Sequence, residues 1–475
     1  MSIFEKIQSW LAPLRSEPDA DPAELAAPAS LRHSGSIADI IAEVRQQNDA
    51  NALATDMGHY SGYVREAALE RAHALRAPAL LPAIVDRLND WVPEVRVRAQ
   101  ALVLDWLPAL DADTALRLLG AVQNLRDARR SDHVSWLGKV ERIVVTCVGA
   151  SRIVEGVANP DIAVARTCFR LLEEHGLADP ATRVRVGLAH GTDIVLVRKA
   201  AEALVLLDGH ERAAMGRLAL RSHFGIVRAI ALRRLLADEV EGAEALAIDM
   251  LADPHGWVRL VASTFLERRG IDSASLYAAR LTAPGSSNTV LRACLMGLAE
   301  TGKRTHLDLI RRMTTHASAR VRVNAFAAWL HLAPEERDDI ARRVLADGAR
   351  RVRNLVMSTH RTHGAFVPVD DALAVLREHG DVELMLRYAE HEPWRWLQLI
   401  LELEPASHAD AGLRAHLREQ LIGWIDSARR SSTPPTPAQR ALFAEPGAQA
   451  AARSSMASPS GSTAARARGR AACPA

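Results

Sequence analysis

Lysine is almost missing from this chain, with four residues against 55 arginines in a length of 475. Aromatic side chains are nearly as scarce, at 4% of the sequence, which excludes a core of stacked rings and requires close packing of small aliphatic side chains instead. The four cysteines, Cys147, Cys168, Cys294 and Cys473, show no CxxC spacing and read as small buried hydrophobes plus one thiol in a tail. No apolar run reaches the roughly 18 residues that a bilayer span needs. The N-terminus carries Glu5 and Lys6 where a secretory leader would place a basic segment before an apolar one, so a cytoplasmic protein is expected. Catalytic signatures are absent too: the chain has no GxSxG, HExxH, GxxxxGK[ST] or glycine-rich phosphate loop. No catalytic residue, metal site or cofactor is therefore expected, and the chain reads as a non-enzyme.

What is present is helical. Alanine and leucine dominate a chain that is 48% hydrophobic and 24% charged, and Val/Ile runs bounded by turns are few, so the class is all-α. In LADPHGWVRLVASTFLERRG, Arg259 sits between Val258 and Leu260 at the start of an apolar helical run, where charge is usually avoided. The same opening recurs at Arg65, Arg96, Arg166, Arg198, Arg228, Arg292, Arg322 and Arg353, with Ser135 in the equivalent slot of HVSWLGKVER. From Ser135 onward the intervals are 31, 32, 30, 31, 33, 30 and 31 residues, the regularity of a repeat array. The interval from Arg96 to Ser135 is 39, which places an insertion near residues 111–131 that ends in the basic cluster Arg126, Arg129 and Arg130.

Each unit reads as two helices. A first segment such as residues 241–253 is stopped by Asp253 and Pro254, and a second runs from about Trp257 to a closing Gly270, with Gly176, Gly209 and Gly302 at corresponding ends. Neither helix can bury its apolar stripe alone, so neighbouring units must supply a continuous core. The turn, the Val-Arg pair, the small residues that follow it (Ala67 and Ala68, Ala200 and Ala201) and the closing glycine resemble the HEAT-like repeat family, in the short form first described in phycobiliprotein lyases. The resemblance covers about residues 36–365 and implies a right-handed α-solenoid of about ten two-helix repeats. The nine repeat arginines are then a structural ladder, each satisfying turn carbonyls or an acid such as Asp253 or Asp90. Deoxyhypusine hydroxylase, a HEAT-like enzyme, holds metal through His-Glu pairs, but Glu66, Lys199, Ala229, Leu260, Ala293 and Val323 follow the arginines here. His59, His190, His223, His255 and His316 fall in the turns and read as solvated.

The organisation that follows is an amphipathic helix at 1–15, a flexible linker at 16–33, the solenoid at 34–365, a helical cap at 366–428 and a disordered basic tail at 429–475. The tail holds seven arginines against Glu445 alone, leaving a net −4 on the rest of a +2 chain. That mildly acidic body is a poor binder of nucleic-acid backbone, and the arginine skew with abundant alanine reads as GC-rich, bacterial-type composition. Ile3, Phe4, Ile7, Trp10, Leu11 and Leu14 share one helical face, open to three readings: a solenoid cap, a partner-binding helix or a peripheral membrane anchor. With Tyr63, Trp91 and Trp257 in the turns, they are the candidate contacts for a protein partner. The expected function is a protein-interaction scaffold, with a lyase-like or other enzyme-associated subunit and a DNA-binding or base-excision module as alternatives drawn from repeat type alone.

Overall fold

A computed structural model of the chain describes residues 36–128, 130–407, 410–428 and 434–448; side chains are described outside 406–407 and 425–428. Among the described residues every element is helical. The candidate N-terminal face (Ile3, Phe4, Ile7, Trp10, Leu11, Leu14), the linker, Arg129 and most of the tail lie outside them.

Two compact units divide between Ala245 and Leu246. In the first, a leading helix Ile37–Gln46 precedes six helix pairs: Ala50–Asp56 with Gly62–Leu75, Leu81–Arg87 with Pro93–Trp106, Ala112–Val122 with Val134–Val148, Ala150–Gly156 with Ile162–Glu174, Pro180–Ala189 with Ile194–Glu202, and Gly209–Ala219 with Gly225–Ala237. Beyond the helix Ala243–Met250, the second unit continues with Gly256–Arg268, then Ser273–Thr282 with Asn288–Thr301 and Leu307–Met313 with Ala319–Leu332. Arg337–Leu345 then pairs with a broken second helix, Arg350–Arg353 and Leu355–His363. Within each unit the helix pairs follow one another in tandem, the arrangement of an α-solenoid. Many helices start on a short acceptor: the Asp111, Asp179, Asp208 and Asp272 side chains each take a backbone N–H of the first turn. Small residues then let the layers approach, as where Val64, Ala67, Ala68 and Ala72 of one second helix and Val95, Ala99 and Val103 of the next are all buried.

Three sequence expectations change. Gly209 opens its helix instead of closing one, because Asp208 caps the Glu211 N–H and starts a new turn there. The insertion is narrower than 111–131: residues 112–122 form an ordinary first helix, and the extra length is the 3-10 turn Gln123–Asp127 plus the loop before Val134. Within the stretch expected to be a disordered tail, Pro437–Ala444 is a helix, started by a Thr436–Gln439 capping box, with the Phe443 ring 6.1 Å from that of Trp394. Residues 366–428, expected as a cap, hold four helices, Val369–Glu378, Val382–Ala389, Pro393–Ser407 and Ala411–Ala428.

The repeat arginines follow one geometry with definite exceptions. In six of the nine, Nη1 donates to the carbonyl six residues upstream: Arg65 to His59 (2.8 Å), Arg96 to Asp90 (2.7 Å), Arg228 to Ser222 (2.8 Å), Arg259 to Asp253 (2.8 Å), Arg322 to His316 (2.9 Å) and Arg353 to Asp347 (2.9 Å). The same upstream residue accepts, through its side chain, the N–H two positions on, as Val92 to Asp90 or Ser61 to His59 Nδ1. His59 and His316 therefore act as turn acceptors, and His59 is buried, which corrects the reading of that histidine as solvated.

In four repeats the guanidinium reaches an aspartate of the next turn. Arg65 donates to Asp90 through Nε and Nη2 (2.9 and 2.7 Å), Arg322 to Asp347 (2.7 Å each), Arg166 to Asp193 (2.6 and 3.2 Å) and Arg353 to Asp381 (3.3 and 3.0 Å). Where the next turn offers none, the arginine turns elsewhere: Arg198 to Glu202 of its own helix, Arg292 to Asn324, and Arg259 to Glu300. Asp253, named from sequence as an acid for Arg259, gives Arg259 its carbonyl, while its carboxylate accepts the His255 N–H. At the Ser135 slot, buried Glu141 ties the layers instead, accepting from Arg126 (2.7 Å) and Arg170 (2.6 Å).

These contacts predict unequal costs. Arg65→Ala strips a buried carboxylate of its bidentate partner and should cost about 3 kcal/mol, the low end for a broken buried pair because Arg87 remains 3.3 Å from Asp90. Arg198→Ala removes an exposed pair within one helix and should cost under about 0.5 kcal/mol; urea unfolding of the two variants checks the contrast. Burial pushes the Asp193 and Asp347 carboxyls up, but guanidinium and backbone N–H bonds outweigh it and hold both below the ordinary value. Their contribution to stability should thus be complete above about pH 4 and be lost as the pH falls through the lowered values, as an acid titration of the melting temperature would register.

Candidate functional site

In the second unit, a groove of about 900 Å³ opens beside the helix Gly256–Arg268. One wall is that helix's exposed face. Trp257, Leu260, Thr264 and Glu267 recur at intervals of three and four and so share a side, while the buried stripe runs through Val258, Arg259, Ala262 and Leu266. Trp257 is 56% exposed and Leu260 53%, an adjacent apolar pair facing solvent. The opposite wall is the C-terminal part of Asn288–Thr301, with Gly297, Glu300 and Thr301, followed by Lys303; His331 of the helix Ala319–Leu332 completes the lining. Buried Ser273 and Tyr277 form the floor.

Tyr277 reaches the groove because Gly297 lets it pass. A Cβ at position 297 would lie 2.3 Å from Tyr277 Cζ, the ring carbon that carries the hydroxyl. That hydroxyl bonds to none of the described residues, although Tyr277 is 1% exposed. Burial pushes the phenol above its ordinary range, a shift that nearby Arg259 opposes and Glu300 reinforces, so the group is a neutral donor.

The charged residues of the walls are mostly paired. The turn that follows Arg259's repeat reads Ala-Pro-Gly-Ser-Ser over 283–287 and has no carboxylate, so Arg259 crosses to Glu300, with Nε 3.0 Å from Oε2. Gly256 leaves room for this, since a Cβ there would stand 3.1 Å from Glu300 Oε1. Glu267 accepts from Ser273 Oγ at 2.7 Å and lies 3.9 Å from Lys303 Nζ, which donates to Asp272 at 2.8 Å. Arg268 and His331 are exposed and pair with none of the described residues.

Among the described residues no group of three or more His, Cys, Asp or Glu could hold a metal ion, and no helix is long and apolar enough to cross a membrane. Burial pushes the Cys168 and Cys294 thiols up to about 12 and about 11, leaving them protonated and unreactive near neutrality. Of the turn aromatics picked out by sequence, Trp257 lines the groove, whereas Tyr63 and Trp91 belong to the first unit, where both are exposed and the Arg65 guanidinium lies 5.3 Å from the Trp91 ring centroid. Leu260, Thr264 and Tyr277 went unnoticed. A signal existed for Leu260: with Trp257 it falls out of phase with the buried stripe of its helix.

No family model matches the chain, and no curated protein matches it. Among solved structures it is similar to the crystal structure of Kap121p, with 13% identity and a TM-score of 0.24 over 94% of this chain and 49% of that one. The chain thus spans about half the length of that protein, and a likeness at this score carries no argument about function.

Gly297→Ala should cost about 1–3 kcal/mol, because the Tyr277 ring cannot retreat from the new methyl without leaving its packed position. Tyr277→Phe should change stability by less than about 0.5 kcal/mol, since the lost hydroxyl bonds to none of the described residues. Denaturant unfolding of both variants checks the pair.

Proposed function

We propose that the chain is a non-catalytic scaffold that holds a protein partner, and that the groove beside Gly256–Arg268 is its principal contact surface. The carrying observation is the solvent-facing pair Trp257 and Leu260 beside a groove of about 900 Å³. A tryptophan more than half exposed loses favourable burial in the free protein, and aromatic anchors of this kind dominate the energetics of interfaces. In this reading the repeats are of the short type first described in phycobiliprotein lyases, the nine arginines are structural, and Tyr63 and Trp91 are secondary contacts. The N-terminal helix recruits or caps, and the protein acts in the cytoplasm. No observation favours the enzyme-associated or nucleic-acid readings over this one.

A photo-crosslinking amino acid placed at Leu260 of the full chain should label a partner, and Trp257→Ala should weaken that labelling at least tenfold while leaving the circular dichroism spectrum unchanged. Labelling at 260 no stronger than at the exposed control position Val205 would overturn the proposal.

A further inference from the structure

Three of the groove's polar side chains have a donor to offer and no partner among the described residues. Tyr277 presents a buried neutral hydroxyl with no partner among the described residues. Arg268 and His331 face the same space without an acceptor. The acceptors of the wall, in contrast, are engaged: Glu300 by Arg259, and Glu267 by Ser273 with Lys303 nearby. A hydroxyl at the groove with no protein partner is free to donate to a ligand acceptor, and a guanidinium gains most from a carboxylate because two parallel bonds can form.

We infer that the groove takes a peptide segment carrying an apolar anchor and an aspartate or glutamate. The anchor covers Trp257 and Leu260; the carboxylate meets Arg268 and His331, and a backbone carbonyl or the same carboxylate accepts from Tyr277. The inference rests on the scaffold reading above and adds the chemistry of the partner. Arg259, Lys303 and Arg268 offset Asp272, Glu267 and Glu300 in formal charge, so long-range attraction is weak. Selectivity must therefore come from short-range pairing, which is felt when the segment is already seated.

Random dodecapeptides displayed on phage and selected on the immobilised full chain test this, followed by anisotropy titrations of a labelled synthetic copy of the most enriched peptide. Enriched peptides should carry an apolar residue and, at a recurring spacing from it, Asp or Glu. Replacing that acid by its amide should weaken binding at least tenfold, Arg268→Glu should do the same, and Tyr277→Phe should weaken it several-fold without moving the melting temperature. Arg268 is exposed and pairs with none of the described residues, so its reversal leaves the fold intact, which circular dichroism verifies. Peptides without an acid, or equal affinity for the amide analogue or the Arg268→Glu variant, overturn the inference. If such acid-free peptides still depend on Trp257, the scaffold reading survives alone. If no peptide is enriched, the inference falls, and the crosslinking at position 260 decides the scaffold reading independently.

Discussion

One bond recurs through this protein: an arginine Nη1 donating to the carbonyl six residues before it. It closes the turn between the two helices of a repeat from inside. The turn reverses the chain where the interior is still apolar, so its carbonyls would face neither water nor a helical N–H. A guanidinium on the first turn of the second helix reaches back to them and keeps its remaining edge for the next repeat. Lysine could supply the charge but not the planar fork that serves two partners in fixed directions. The chain's near-total preference for arginine is therefore useful at these slots, whatever its origin elsewhere.

The second edge of the fork couples one repeat to the next, and the coupling depends on a single side chain. In the six repeats that make this bond, the residue six before the arginine is Asp, His or Ser, and all three can accept the N–H two positions on. Only aspartate can also take the preceding arginine, as Asp90 and Asp347 do. With His316 in that place, Arg292 turns to Asn324; with Ser222, Arg198 turns to Glu202 and stays in solvent. Arg259 likewise meets a next turn without a carboxylate, and its fork is held by Glu300 across the groove. The site thus lies where the regular inter-repeat contact is replaced.

The repeat length, helix pairing and arginine register were legible because they recur, and recurrence averages out the ambiguity of any one segment. Local substitutions were not legible in that way. That Arg259 pairs with Glu300 depends on a separation of 41 residues and on Gly256 leaving space, neither of which a pattern of 31 encodes. The histidines misled because turn residues are usually wet, whereas an imidazole that accepts a backbone N–H can be buried, as His59 is. Trp257 could be singled out from its place in a turn. Tyr277 could not, since only the missing side chain at Gly297, twenty residues on, lets its ring reach the groove.

A frame that satisfies its own polar groups has few left for a ligand. The buried arginines carry charge yet are closed to recognition, because each donor edge is already engaged and freeing one would leave a carboxylate or carbonyl buried alone. Recognition then falls to side chains that lie off the repeat's own pattern. Trp91 is partly absorbed, with one face toward the Arg65 guanidinium. Trp257 and Leu260 lie off the buried stripe of their helix, and the Tyr277 hydroxyl, for which the repeat supplies no partner, opens into the same groove. Exposed apolar surface is unfavourable in the free protein, and an occupant of the groove that covers it would also meet a hydroxyl still free to donate.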